Sequence, residues 1–413
     1  MASTASNATA LDAARAHVAD AVRVWLGVHA ADATPLPELP EHLTRLLLRL
    51  EEYERPRRDA WGCWDYEYSE NAERLDVSEV DEWVASRRAE LAETTRVEPL
   101  WPEGSRFAVC FTHDVDLVSE TATPRQVARF ARAGFAGSGV LRAARPAVRV
   151  VRSLRNGVAR VPAATALEHC ATLEKRYDAT ASYLFTVPPP IGRSRYDCVY
   201  APHDLCRFRG ATRSVADVMR TLADEGFDVG LHGSYEGAFR PHALAAEREI
   251  LRRATGLEIT STRQHFLHWD VRSTPRLQEE AGLRVDSSLG FNRNVGFRAG
   301  TSFPFRHFDV GAGRALDLVQ VPLVIQDGAL LGPIGVGRGL SHALGVVDEL
   351  LDGVAAVGGV ASFLFHPDKL GRPDWLQLYE HALGAAAERG AWFASLRDLG
   401  DWWRRREVLT LRD

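Results

Sequence analysis

The sequence predicts an α/β fold: a (β/α) barrel, incomplete in outline, behind a small helical N-terminal domain. Three observations carry this prediction. From residue 106 onward, short apolar runs recur at 107–112, 181–187, 227–232, 261–267, 283–286, 318–325, 361–366 and 391–395. Each has the length of a buried strand. Segments of helical periodicity lie between them, at 215–225, 244–254, 274–280, 342–357 and 375–389. Strand and helix in alternation mean parallel strands joined by crossover helices. Finally, about eight strands within about 290 residues are on the scale of a (β/α) barrel.

The elements follow in order. Residues 1–10 are rich in Ala, Ser, Thr and Asn and are expected to be disordered. Residues 11–100 read as the helical domain. Ala14, Val18, Val22 and Leu26 repeat at helical spacing, and a Pro-containing break covers 36–40. A second helix is expected over 42–53, with Leu43, Leu46, Leu47 and Leu50 on one face. A third is expected over 78–93, with Ser78 as its cap and Asp81 three residues on. The barrel domain is assigned to 101–405. One segment interrupts it: between Thr121 and Leu167 stand nine arginines and no acid. This basic insert, at about 121–165, reads as amphipathic helices. Such a surface suits either contact with an anionic membrane or the entrance for an anionic substrate; an arginine-rich solvated face is the plainer account.

Composition narrows the function classes. The chain has 413 residues, 46% of them apolar and 25% charged, which is ordinary for a globular protein. No apolar run reaches the length of a spanning helix. The start lacks the basic-then-apolar pattern of an export signal, so the expected location is cytoplasmic. The net charge of −5 gives no general case for nucleic-acid binding. Five cysteines at scattered spacings, with no C-x-x-C, support neither a disulfide framework nor a thiolate zinc site.

Four motifs carry chemistry, and each ends a strand candidate, where barrel enzymes place their sites. In Phe111-Thr112-His113-Asp114-Val115-Asp116, the two aspartates point the same way from an extended chain. Carboxylates that close repel unless a cation or proton intervenes. A metal held by one, with the other free as a base, resolves this. In Gly230-Leu231-His232-Gly233-Ser234-Tyr235-Glu236, His232 is a candidate metal ligand, and Glu236 could face the same ion from four residues on. In Arg263-Gln264-His265-Phe266-Leu267-His268, Arg263 could hold a carboxylate, and His265 could complete a metal site. His268 falls on the other face and reads as structural. In Phe363-Leu364-Phe365-His366-Pro367, His366 suits a general acid. Singly, each also describes an ordinary strand end. Jointly they supply a metal, a base, an orienting arginine and an acid, the parts of metal-assisted hydrolysis.

In these motifs and their order the chain resembles the polysaccharide deacetylases (carbohydrate esterase family 4). THDVD at 112–116, GFDVGLHGSYEG at 226–237, STRQHF at 261–266, DSSLGF at 286–291 and FLFHP at 363–367 carry the resemblance. It covers roughly residues 106–400. The family fold is a distorted, incomplete (β/α) barrel. The resemblance implies Asp114 as catalytic base, Asp116 and His232 as metal ligands, Arg263 as the tether of the base and His366 as general acid. It implies a divalent metal, zinc above all, and an acetylated carbohydrate substrate. Three departures stand out: Val115 separates the aspartates, Glu236 stands where a second histidine is usual, and His265 stands where a proline is usual. His265 is therefore assigned as the third ligand, with Glu236 the alternative. Gly296-Phe297-Arg298-Ala299-Gly300-Thr301 is assigned to substrate binding through Arg298, with a barrel loop whose arginine is structural as the alternative. The expected function is a metal-dependent deacetylase acting on N- or O-acetyl groups of a sugar. The rival readings are hydrolysis of another non-peptide C–N bond and a silent carbohydrate-binding protein.

Overall fold

The computed structural model describes residues 2–119 and 163–412 except 193, 195 and 199, with residues 2–11 described as backbone alone. All but the last three positions of the basic insert at 121–165 lie outside the described residues.

Twelve strands are described: β1 (Ala108–Val115), β2 (Ala181–Phe185), β3 (Leu205–Phe208), β4 (Ala211–Ser214), β5 (Asp228–Gly233), β6 (Ser261–Gln264), β7 (Val285–Asp286), β8 (Phe305–Asp309), β9 (Arg314–Gln320), β10 (Ile325–Gln326), β11 (Val360–Phe365) and β12 (Trp392–Phe393). Nine form one path in the order β10-β11-β1-β2-β5-β6-β7-β9-β8, and β12 pairs with β1 off the path. Every pairing in this sheet is parallel except β8 with β9. Among the described residues the path does not close, since β10 and β8 stay apart at its two ends. The fold is thus the incomplete (β/α) barrel that the alternating pattern predicts.

The period-two geometry of β1 explains how the sequence aims the site. Val109, Phe111 and Val115 enter the apolar cluster beneath the surrounding helices. Ala108 and Cys110 face a second cluster. Thr112 and Asp114 continue on that second face towards the strand's C-terminal end. His113 turns to the helix side, where Nε2 meets Glu174 Oε1 at 2.6 Å. Tyr183 and Tyr379 donate to the same carboxylate, at 2.5 and 2.8 Å. This buried quartet ties β1 to α5 (Thr165–Arg176).

The N-terminal segment differs from expectation at two points. Its first helix, α1 (Ala2–Leu26), includes the residues expected to be disordered. The helix expected over 42–53 is two pieces, α2 (Glu41–Leu47) and α3 (Leu50–Glu54). Arg49 breaks it with φ of 54°. The third helix, α4 (Glu79–Ala92), lies as predicted. Val18, Val22 and Trp25 of α1, Leu43 and Leu47 of α2, and Val80 and Val84 of α4 share one cluster with Ala108, Val285 and Val319 of the sheet. Helix α1 also reaches the sheet's last strand. The His17 imidazole donates from Nε2 to the Arg306 carbonyl at 2.9 Å, and Trp25 Nε1 donates to the Pro304 carbonyl at 2.9 Å.

The run expected as one strand over 318–325 is also divided. β9 ends at Gln320 and β10 begins at Ile325. Pro322 between them has no N–H for a ladder.

Candidate active site

The catalytic candidates meet at the C-terminal rim of the parallel strands. Asp114 lies in β1, and Asp116 follows it in a tight turn whose Asp116 N–H donates to the Asp114 carbonyl at 3.0 Å. His232 ends β5, Arg263 lies in β6 with His265 just beyond, and His366 follows β11. Of the seven residues assigned from sequence, these six come together.

Arg263 is fully buried and holds the base candidate. Its Nη1 donates to Asp114 Oδ1 at 3.1 Å and to Thr112 Oγ1 at 2.6 Å. The other side of the guanidinium is fixed by the Ser287 carbonyl to Nε (2.8 Å) and by Ser287 Oγ to Nη2 (2.9 Å). The Asp286-Ser287-Ser288 motif thus acts behind the arginine. Asp286 holds Ser288 Oγ at 2.6 Å, and Ser288 Oγ accepts the Gln264 N–H at 2.9 Å. With Oδ1 so engaged, Asp114 presents Oδ2, which stands 3.7 Å from His232 Nε2.

Asp116 Oδ1 is the hub of the donor set. It stands 3.4 Å from His232 Nε2 and 3.5 Å from His265 Nε2. His232 Nδ1 lies 3.0 Å from the Arg263 carbonyl, which can only accept; Nδ1 therefore carries a proton, and in the neutral imidazole the lone pair sits on Nε2. Metal-binding histidines are oriented in this way. Among the described residues the buried His232 Nε2 has no hydrogen-bond partner. An orphaned lone pair facing a carboxylate and a second imidazole fits a divalent cation. His265 is aimed by a strained turn, with Phe266 at φ 62° and Leu267 at φ 48°. Asn292 holds that turn through the Phe266 carbonyl at 2.6 Å.

Burial and neighbouring charge act in opposite directions on three of these groups. Burial alone would raise the Asp116 carboxyl, but the His265 and His232 imidazoles hold it well below the ordinary range. Burial would lower His232, and the Asp114 and Asp116 carboxylates raise it instead. His366 is likewise opposed by burial, yet Asp327 raises it to about 10. Asp327 Oδ1 is 2.7 Å from His366 Nδ1, and its Oδ2 accepts the His366 backbone N–H at 2.8 Å. His366 Nε2 lies 4.0 Å from Asp116 Oδ2, and the side chain is partly exposed.

Two assignments are corrected. Arg298, expected to bind substrate, is 1% exposed. Its Nη2 pairs with Glu52 Oε2 at 2.8 Å, Nε with Glu52 Oε1 at 3.0 Å, and Nη1 with the Gly290 carbonyl at 2.9 Å. A buried guanidinium with four of its five N–H groups so engaged faces inward and ties the N-terminal segment to the barrel. Glu236, the alternative ligand, pairs with Arg240 at 3.2 Å, away from the hub. His268 bonds the Tyr235 carbonyl through Nδ1 at 2.7 Å and stacks on the Tyr235 ring.

Two residues escaped the sequence reading. Asp327 opens a short helix, α9 (Asp327–Leu331), directly after β10. It follows a two-residue strand that the sequence merges with the run before Pro322. Cys198, from a loop with no periodic pattern, brings Sγ within 3.6 Å of Asp116 Oδ1.

The molecule is thus an open (β/α) barrel with a carboxylate–imidazole centre on its rim. No family model matches the chain, and no curated protein matches it. Among solved structures, a Mycobacterium smegmatis protein described as a polysaccharide deacetylase is 19% identical, over 76% of this chain and 96% of its own, with a TM-score of 0.49. The Puue allantoinase is 14% identical over 76% and 95%, with a TM-score of 0.46. A Pseudomonas aeruginosa protein described as a polysaccharide deacetylase is 16% identical over 76% and 95%, with a TM-score of 0.45. Polysaccharide deacetylases, the family that the motifs resemble, recur among these similar structures. No helix among the described residues is long and apolar enough to cross a membrane.

Proposed function

We propose that the chain is a metal-dependent hydrolase that removes an acetyl group from an N- or O-acetylated sugar. The supporting observation is that two proton carriers, each pinned by its own partner, stand around one metal-suited donor set. Asp116, His232 and His265 would hold the ion, and zinc accepts such a carboxylate–imidazole set. When bound, that ion supplies Lewis acidity, polarising the acetyl carbonyl and lowering the pKa of a water to about 7. The rest is the work of the side chains. Asp114 takes the proton of the attacking water at Oδ2, because Arg263 occupies Oδ1. His366 donates from Nε2 to the departing amine or alkoxide, and Asp327 keeps it charged until then. Arg263 also fixes the orientation of Asp114 beside the second carboxylate.

Acetate release from a panel of acetylated sugars, with and without chelator, tests the proposal. Release that chelator abolishes is expected; no release from any acetylated sugar by metal-loaded protein refutes it. The Asp114→Asn variant should keep its metal and lose about two or more orders of magnitude in rate. Metal analysis separates the ligand assignments: His265→Ala should lose bound metal, whereas Glu236→Ala should retain it.

A further inference from the structure

We propose that Cys198 is a fourth protein donor to the same ion, which makes this a thiolate-bearing metal centre. The inference rests on the metal-dependent reading above and extends it to a residue type whose spacing in the sequence supports no thiolate site.

The argument is one of distances. Donors held tetrahedrally at about 2.0–2.3 Å from zinc stand about 3.3–3.7 Å from each other. From Asp116 Oδ1, His232 Nε2 lies at 3.4 Å, His265 Nε2 at 3.5 Å and Cys198 Sγ at 3.6 Å. Each of the three separations is measured from Asp116 Oδ1 and equals one donor–donor edge of a zinc site, with the sulfur at the longest. The donor atoms of Asp116, Cys198 and His265 lie within 4.8 Å of one another and are the mutually close set, which His232 approaches through Asp116. An independent observation points to a ligand at the same spot: the buried Nε2 of His232, 1% exposed and without a hydrogen-bond partner among the described residues, faces Asp116.

A thiol that binds a divalent ion releases its proton to solvent and coordinates as thiolate. Thiolate with imidazole selects zinc or cobalt and disfavours magnesium and calcium, which prefer oxygen. Four protein donors still allow a fifth ligand, the expansion that catalytic zinc sites undergo. Among the five cysteines Cys198 alone is not fully buried; Cys63, Cys110, Cys170 and Cys206 are buried.

The test is cobalt(II) substitution of the full chain, read by absorption. The wild-type protein should show a near-ultraviolet thiolate-to-cobalt charge-transfer band. Cys198→Ser should still bind cobalt but lose that band. Bound cobalt with no such band, or a band that survives in Cys198→Ser, overturns the inference and leaves the metal centre itself intact. Failure of wild-type protein to bind cobalt or zinc overturns both. Should Cys198→Ser not fold, a second measurement on wild-type protein decides: zinc should protect one thiol from a thiol-modifying reagent, and chelator should expose it. Equal reactivity with and without zinc refutes the ligand role.

Discussion

At the scale of single residues, the site depends on partners that hold the reacting groups from behind. On the proposed hydrolase reading, His366 serves as the acid because Asp327 orients it and favours its charged form. Asp327→Asn should therefore lower kcat by about 10²–10⁴, with KM little changed, since such partners act through the imidazole they orient. Steady-state kinetics on the same acetylated sugar would check this; a change in KM alone would assign Asp327 to substrate binding. The six residues that meet were legible because each closes an apolar run, which in a parallel sheet means the same rim. Asp327 was not, because its strand has two residues and lies hidden in a longer run broken by Pro322. Arg298 was misread for a different reason. An arginine flanked by glycines looks accessible, and its carboxylate partner lies 246 residues away in sequence. Cys198 gave no signal at all, since a loop cysteine without a paired spacing is indistinguishable from any other.

Among the secondary elements, α3 matters most for its anchoring role. Glu52, 0% exposed, receives both Arg298 and Arg49, the latter at 2.9 Å. Burial alone would raise its carboxyl; the two guanidinium groups, Arg298 foremost, hold it below the ordinary range. Glu52→Ala would leave two buried cations without their shared carboxylate and should destabilise the fold by about 3–5 kcal/mol, measurable as a fall in urea midpoint. A midpoint unchanged from wild type would show that water reaches the pair. Strand positions were read well where a run was continuous, as in β1, β2, β5 and β11. They were missed where pairing is local or at an edge. The β3–β4 hairpin turns at Arg209 and Gly210, with φ of 51° and 75°, and its short strands carry charged side chains. β8 follows Gly300-Thr301-Ser302-Phe303-Pro304, which reads as loop.

For the molecule as a whole, acid should act first where the N-terminal segment meets the sheet. His307 in β8 is buried, and that burial pushes its imidazole down to about 4 from 6.5. His17 of α1, which bonds the adjoining Arg306 carbonyl, is likewise pushed down to about 4 by burial. Folded values below the unfolded one mean stability that is complete above pH 6.5 and lost as pH falls towards 4. For His307 the loss is at most about 3 kcal/mol. Urea unfolding at pH 7.5 and 4.5 should show it, and His307→Phe should shrink the difference; an equal difference in the variant would place the acid sensitivity elsewhere. The contact of α1 with the sheet has one more consequence. Because the sheet path does not close among the described residues, β8 ends it in a row of backbone groups that a neighbouring molecule could extend. His17 and Trp25 occupy two carbonyls in and beside that row. A chain shortened past Leu26 should therefore self-associate edge to edge, with light scattering that rises with concentration while the rim chemistry persists in whatever stays monomeric.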